Sequence, residues 1–116
     1  MTNPPSSPRR GDIYWLDFNP SRGSEQAGRR PAVVISQDSF NSRMPVVAVA
    51  AITSKIKPAM RITVILPAGK PLALESQILA FQVMTADRTR LGGYLGCLDK
   101  QQIADLENAL RLAWGL

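Results

Sequence analysis

Five short apolar runs, each bounded by turn chemistry, precede the only stretch of helical period in this chain. They cover residues 12–18, 31–36, 46–52, 61–66 and 75–84. Runs this short and this rich in β-branched and aromatic residues predict strands. In 61–66, Ile62, Val64 and Leu66 alternate with Arg61, Thr63 and Ile65. In 75–84 the same alternation sets Ile78, Ala80 and Gln82 against Leu79, Phe81 and Val83. Pro31 suits the first position of its strand, where no ladder donor is lost. Residues 37–45 read as a polar connection with a helical turn near Phe40. Residues 85–93 lead through Tyr94 to Leu98. The ending is different. Asp99 and Gln102 have the spacing of a capping box, and Ile103, Leu106, Ala109, Leu110 and Ala113 form one apolar stripe before Gly115. Strands followed by one packed helix predict a mainly β fold, a small and strongly bent sheet or open barrel capped by a C-terminal helix.

Bulk properties narrow the function. At 116 residues, 45% apolar and 20% charged, the chain suits one globular domain. Residues 9–116 are read as that domain and 1–8 as a loose, Pro/Ser-rich arm without the apolar core of a secretory signal. No apolar run approaches the length of a membrane span, and the single cysteine, Cys97, allows no internal disulfide. Both point to the cytoplasm. The chain has no histidine, so Ser-His and Cys-His hydrolysis, ordinary zinc sites and a two-histidine ribonuclease mechanism are excluded. The nine acidic residues are scattered, which argues against a two-metal site, so no cofactor or metal is expected. All of the net charge of +5 arises between residues 20 and 61, where seven basic residues face two acids. A one-sided charge of this kind fits a polyanion, either nucleic acid or an acidic peptide, as well as a merely solvated cationic face.

The most polar segment, residues 21–30, runs directly into the strand at Pro31. It contains Ser24, Glu25, Gln26, Arg29 and Arg30. A glycine-flexed loop ending in paired arginines is poor packing material, but it can hold a guanidinium fork against phosphate. Arg30 is restricted to extended geometry by the proline that follows it; on spacing alone a surface pairing with Glu25 or Asp38 is narrowly favoured over a phosphate contact. Thr53 ends the 46–52 run, so its hydroxyl can emerge into a cleft, although a plain β-branched strand end fits too. The two matter as a pair if their strands are neighbours. Glu25 beside two arginines is expected to be ionised, which suits it to ordering the loop better than to acting as a base. Lys55 and Lys57 extend the basic segment. Arg88 and Arg90 are solvated, paired with Asp87, or line a nucleic-acid path. Trp15, Tyr14 and Phe81 can stack on bases or fill the core, and Trp114 anchors the terminal helix or an interface.

Three blocks in order resemble the MazF/PemK toxins. The first is Gly11-Asp12-Ile13 with Asn19-Pro20 and Gly23-Ser24-Glu25-Gln26-Ala27-Gly28-Arg29-Arg30-Pro31-Ala32-Val33-Val34-Ile35-Ser36. The second is Val49-Ala50-Ala51-Ile52-Thr53, and the third joins Leu74-Glu75-Ser76-Gln77 to Gln82-Val83-Met84-Thr85 and Arg90-Leu91. The resemblance implies an SH3-like barrel of the CcdB/PemK plasmid-maintenance type working as a homodimer. It implies the toxin of a type II toxin–antitoxin system, a sequence-specific, metal-independent endoribonuclease that cuts single-stranded RNA. The partner implied is a MazE-like antitoxin with an acidic C-terminal tail. Matched residue by residue, it implies Arg30 and Thr53 as catalytic, with Glu25 as a loop acid tied to activity. It implies RNA contacts from Ser24, Gln26, Arg29, Ser36, Lys55, Lys57, Gln82 and Arg88. Met84, where many relatives carry arginine, and the additional charge of Arg29 depart from the pattern and bear on the cleavage sequence. A gyrase-targeting toxin of the CcdB kind and a non-catalytic RNA- or protein-binding barrel are the competing readings.

Overall fold

The computed structural model describes residues 7–18, 28–58 and 60–116. Six strands form one antiparallel sheet: β1 (Asp12–Asp17), β2 (Arg29–Val34), β3 (Val46–Thr53), β4 (Thr63–Leu66), β5 (Ser76–Asp87) and β6 (Tyr94–Cys97). A short helix α1 (Asp38–Arg43) joins β2 to β3, and the long helix α2 (Lys100–Trp114) closes the chain. The strand order is β4-β5-β3-β2-β1-β6. The expected mainly β architecture with a C-terminal helix is what forms, as a sheet curled into a half-barrel.

The curl has a local cause. β3 pairs with β5 in even register from Val46↔Asp87 to Ala50↔Val83, then jumps to Ala51↔Leu79. Residues 80–82 of β5 therefore bulge out of the ladder, which bends the strand and raises its twist. The bulge also reverses the expected alternation. Ile78 and Ala80 lie in the same apolar cluster that Val83 packs against, whereas strict alternation set Val83 on the other face. The bulge frees the Ala80 carbonyl from that ladder, and Trp114 Nε1 donates to it at 2.9 Å. The end of α2 is thereby fastened to the bend in the sheet.

Each face of the sheet has its own core. Ile13, Val33, Ala50, Ile52, Val64, Leu66 and Ile78 lie under Leu106 and Ala109 of α2. The other face buries Tyr14, Leu16, Phe18, Ala32, Val34, Val47, Val49 and Ala51. The runs at 31–36 and 46–52 lack polar alternation because both faces of β2 and β3 are covered. Leu106 is fully buried, and burial of such a side chain is worth about 1.5–3 kcal/mol. The capping box of α2 forms as expected: Gln102 N donates to Asp99 Oδ1 at 2.7 Å, and Asp99 N donates to Gln102 Oε1 at 3.0 Å. Gly115 ends the helix in the left-handed region at φ 71°.

Strand ends differ from the sequence expectation in two instructive places. β2 begins at Arg29, so both arginines belong to the strand and Pro31 is its third residue. β5 runs on to Asp87, three residues past the expected end, because β3 offers a full-length partner. At the other end of the sheet Arg10 acts as a stitch. Its Nε donates to Ile35 O at 2.7 Å, its Nη1 pairs with Glu107 at 2.8 Å, and its backbone N–H donates to Asp38.

The two tyrosines pack edge to face with centroids 5.5 Å apart. Burial, reinforced for Tyr14 by the charge of Asp12 and for Tyr94 by its hydrogen bond with Cys97, pushes both phenols up to about 12 from the usual 10. The folded protein then holds two protons that the unfolded chain releases, so this contribution to stability is intact below pH 10 and is lost as pH rises toward 12. Near-ultraviolet absorbance titration of the folded protein is expected to show no phenolate at pH 10.5, with both signals appearing together on alkaline unfolding.

Candidate active site at the β2–β3 strand ends

The register places the central residues. β2 and β3 pair as Val34↔Val49, Val33↔Ala50 and Ala32↔Ala51. Continued by two residues, it sets Arg30 opposite Thr53. Side chains alternate across a strand, and Ala32, Val34, Val49 and Ala51 lie on one face. Arg30 and Thr53 share that parity, so both belong to the same face of the sheet. β5 extends the row, because Thr53 pairs with Gln77 and Gln77 with Ile65. Asp38, one of the acids considered as a partner for Arg30, accepts from the backbone of Arg10.

Thr53 is buried, at 3% exposure, and its Oγ1 accepts from Lys55 N at 3.1 Å. This is a hydroxyl turn that reverses the chain at the strand end. A hydroxyl has one proton and two lone pairs, so with one lone pair occupied the proton remains for another acceptor. The exposed Lys55 and Lys57 follow in the same turn.

Gln77, to which the sequence pattern assigns no role, holds this turn. It is fully buried. Its Oε1 accepts from Lys57 N at 2.8 Å, and its Nε2 donates to Thr63 Oγ1 at 3.2 Å. Thr63 Oγ1 also accepts from Met60 N and donates to Met60 O, which saturates the hydroxyl. The available signal was a glutamine inside an otherwise apolar strand, a residue type seldom buried without partners.

On the opposite face, at the same end of the strands, a cleft of about 380 Å³ opens between Trp15, Arg29, Pro31 and Ile52 on one side and Leu72, Leu74, Ser76 and Leu95 on the other. Arg30 and Ser54 reach its lining, and Thr53 does not. The Arg29 guanidinium lies over the Trp15 ring, 4.9 Å from its centroid. Trp15 is held by both flanking glycines: Gly92 N donates to its carbonyl at 2.7 Å, and its own N–H donates to Gly93 O at 3.0 Å.

Three other expected RNA contacts lie elsewhere. Ser36 is past the far end of β2, and its hydroxyl donates to Asn41 Oδ1 and accepts from Ala48 N. Arg88 Nη1 donates to Asn41 O beside the start of β3, roughly 20 Å from Thr53 at about 3.3 Å per strand residue. Gln82 sits in the β5 bulge. Arg90 Nη2 donates to Asp17 O rather than pairing with Asp87, and Asp87 is held below the usual carboxylate range by the Thr89 backbone and hydroxyl. Ser24, Glu25 and Gln26 lie outside the described residues. Among the described residues, no three metal-ligating side chains come together.

With this geometry in hand, comparison with known proteins gives a consistent result. A model of the PemK-like, MazF-like toxins of type II toxin–antitoxin systems matches residues 9–114. The chain belongs to that family. It is 41% identical over 110 residues to the endoribonuclease MazF of Staphylococcus epidermidis, covering 93% of this chain and 92% of the relative. Its fold matches the crystal structure of MazF from Deinococcus radiodurans with a TM-score of 0.80 at 29% identity, over 97% of this chain and all of that one. A MazE–MazF complex from the same organism matches with a TM-score of 0.74 at 28% identity, over 94% and 97% of the two chains.

Replacing Gln77 with leucine is expected to leave the Lys57 amide unpaired, at a cost of about 1–3 kcal/mol. Hydrogen exchange at Lys57 should accelerate at least tenfold while the amides of β1 and β2 stay protected. Unchanged exchange at Lys57 would remove Gln77 from its role in holding the turn.

Proposed function

We propose that this toxin cuts single-stranded RNA without a metal ion, using the substrate's own 2′-hydroxyl as nucleophile. The 2′-oxygen attacks phosphorus, the bond to the 5′-oxygen breaks, and the products are a 2′,3′-cyclic phosphate and a 5′-hydroxyl. The 2′-hydroxyl gives up a proton and the departing 5′-oxygen takes one, so the step is neutral overall. Because the nucleophile comes with the RNA, the protein needs only to orient the phosphodiester and offset its growing charge. The single observation behind this reading is the β2–β3 register, Val34↔Val49 to Ala32↔Ala51, which continued by two residues would bring a guanidinium and a hydroxyl to one face at one strand end.

In this reading Arg30 is the electrostatic stabiliser. Its fork matches two phosphate oxygens, and its permanent charge makes it a poor proton acceptor. Thr53 donates its remaining proton to a non-bridging oxygen, held in place by Lys55 N. Lys55 and Lys57 draw the neighbouring phosphates, and Glu25 orders the loop ahead of Arg30. The inhibitor is a MazE-like antitoxin whose acidic, disordered tail folds onto the same basic surface, and the active form is a homodimer. In this family setting a gyrase-directed activity and a purely binding role lack a specific observation in their favour.

Incubation with a long RNA in EDTA is expected to give discrete cuts ending in cyclic phosphate. Arg30→Ala and Thr53→Val should each lower kcat by about 10²–10³, the usual effect of losing one transition-state donor. Thr53→Ser should retain most of the rate. Wild-type cleavage by Arg30→Ala would overturn the assignment. Antitoxin binding should weaken steeply between low and high salt, measured as Kd by titration calorimetry, since exposed charge contacts are screened within about 10 Å at 0.1 M.

A further inference from the structure

Arg29 and Arg30 are consecutive residues of one strand, so they serve opposite faces of the sheet. Arg30 belongs with Thr53, whereas Arg29 lies over Trp15 at the mouth of the cleft. We propose that this cleft binds one nucleobase of the RNA, next to the cut, and that the Arg29 fork selects guanine there. The inference rests on the nuclease reading above and extends it to substrate choice.

The cleft has the chemistry of a base site rather than of a phosphate site. Its walls are Pro31, Ile52, Leu72 and Leu95, with the Trp15 ring beside them. A phosphate buried among aliphatic side chains loses its hydration without return, but a flat heterocycle gains from them. Its volume, about 380 Å³, is at the small end of the ligand-pocket range, which suits a single nucleotide and not a peptide segment. Polar side chains are few. The Ser76 hydroxyl donates to Leu74 O at 2.9 Å and keeps its acceptor capacity, and Ser54 adds a second hydroxyl.

Arg29 supplies the discrimination. A guanidinium held over an aromatic ring keeps its N–H groups for other acceptors. Among the described residues none accepts from it, and its guanidinium rests against the indole. Guanine presents two adjacent acceptors, O6 and N7, to such a fork. On the edge that carries N7, adenine replaces one of them with a donor, and the corresponding edge of the pyrimidines offers no such pair. Room for the arrangement comes from Gly92, where a Cβ would stand 3.1 Å from the Cβ and carbonyl oxygen of Trp15 and 3.6 Å from Arg29 Nη2. Arg30 and Ser54 touch both the cleft lining and the Thr53 strand end, so a strand with its phosphate at Arg30 can place a neighbouring base in the cleft.

The test uses the full chain and hexanucleotides with 2′-O-methyl riboses, which cannot cyclise, so binding is read without cleavage. Trp15 fluorescence reports occupancy, and Trp15→Phe identifies the contribution of Trp114. An oligonucleotide with one guanine among uracils is expected to bind about tenfold more tightly than its adenine or cytosine counterparts. Replacing that guanine with 7-deazaguanine should remove most of the preference. Arg29→Lys, which keeps the charge and loses the fork, should bind all sequences about equally and with little loss for the all-uracil strand. Equal affinity for all four bases in the wild type, no binding of any oligonucleotide, or an unaltered preference in Arg29→Lys would each overturn the proposal. Cleavage of long RNA, dependent on Arg30 and Thr53, is scored separately, so the nuclease reading stands or falls on its own result.

Discussion

The pairing of β3 with both of its neighbours is what the rest of this molecule depends on. β3 pairs with β5 along its whole length and with β2 over Val49–Ala51. Its register against β2, continued two residues past Ala32↔Ala51, brings Arg30 opposite Thr53, and its register against β5 aligns Thr53 with Gln77. A one-residue slip in either ladder would send every side chain of the slipped strand to the opposite face. It would also drive buried residues such as Val49 and Ala50 out of their cores. The alignment of the polar row is therefore enforced by the apolar residues behind it, which cost far more to misplace than the row itself could supply.

The bulge at residues 80–82 complements this. Without it β5 would continue straight beside β3 and the sheet would stay open, leaving one face without a concave side to receive α2. With it, the sheet bends, Leu106 and Ala109 seat in the hollow, and Trp114 caps the carbonyl released at the bend. The same bend brings Gln77 and Thr63 against the turn after Thr53. Helix docking and the ordering of the turn are thus two consequences of one irregularity in a ladder.

Much of this was legible in the sequence, and the omissions follow a pattern. Strand positions, the capping box at Asp99 and Gln102 and the glycine stop at Gly115 depend on local chemistry, and local chemistry is what a sequence displays. The β2–β3 adjacency followed from the tendency of consecutive strands to pair. The bulge was not legible, because three extra residues in β5 look like uninterrupted alternation until a partner strand is present to count against. The same holds for Ser36 and Arg88. Both are polar, and Ser36 continues the first sequence block, but their positions at the far end of β2 and β3 come from strand direction, which composition does not carry. Thr53 was expected to project into a cleft; its hydroxyl instead turns back to Lys55 N, and Ser54 takes the cleft position. Gln77 could have been singled out by asking what a glutamine does inside a buried strand.

Two neighbouring arginines with different duties clarify why the charge in this segment is doubled. Alternate strand residues present opposite faces, so Arg30 shares the face of Thr53 and meets the cleft only at its lining, while Arg29 stands over Trp15 beside it. The constraint on Arg29 is of another kind. It is fixed by an aromatic ring and by the absence of a side chain at Gly92, not by the ladder. Changes at Arg29 or around Trp15 therefore alter the cleft while leaving the β2–β3 register intact. Changes at Arg30 or Thr53 alter the polar row while leaving the cleft walls in place. A strand that separates its two faces in this way lets the proposed phosphate and base contacts vary independently, within one short β-ladder.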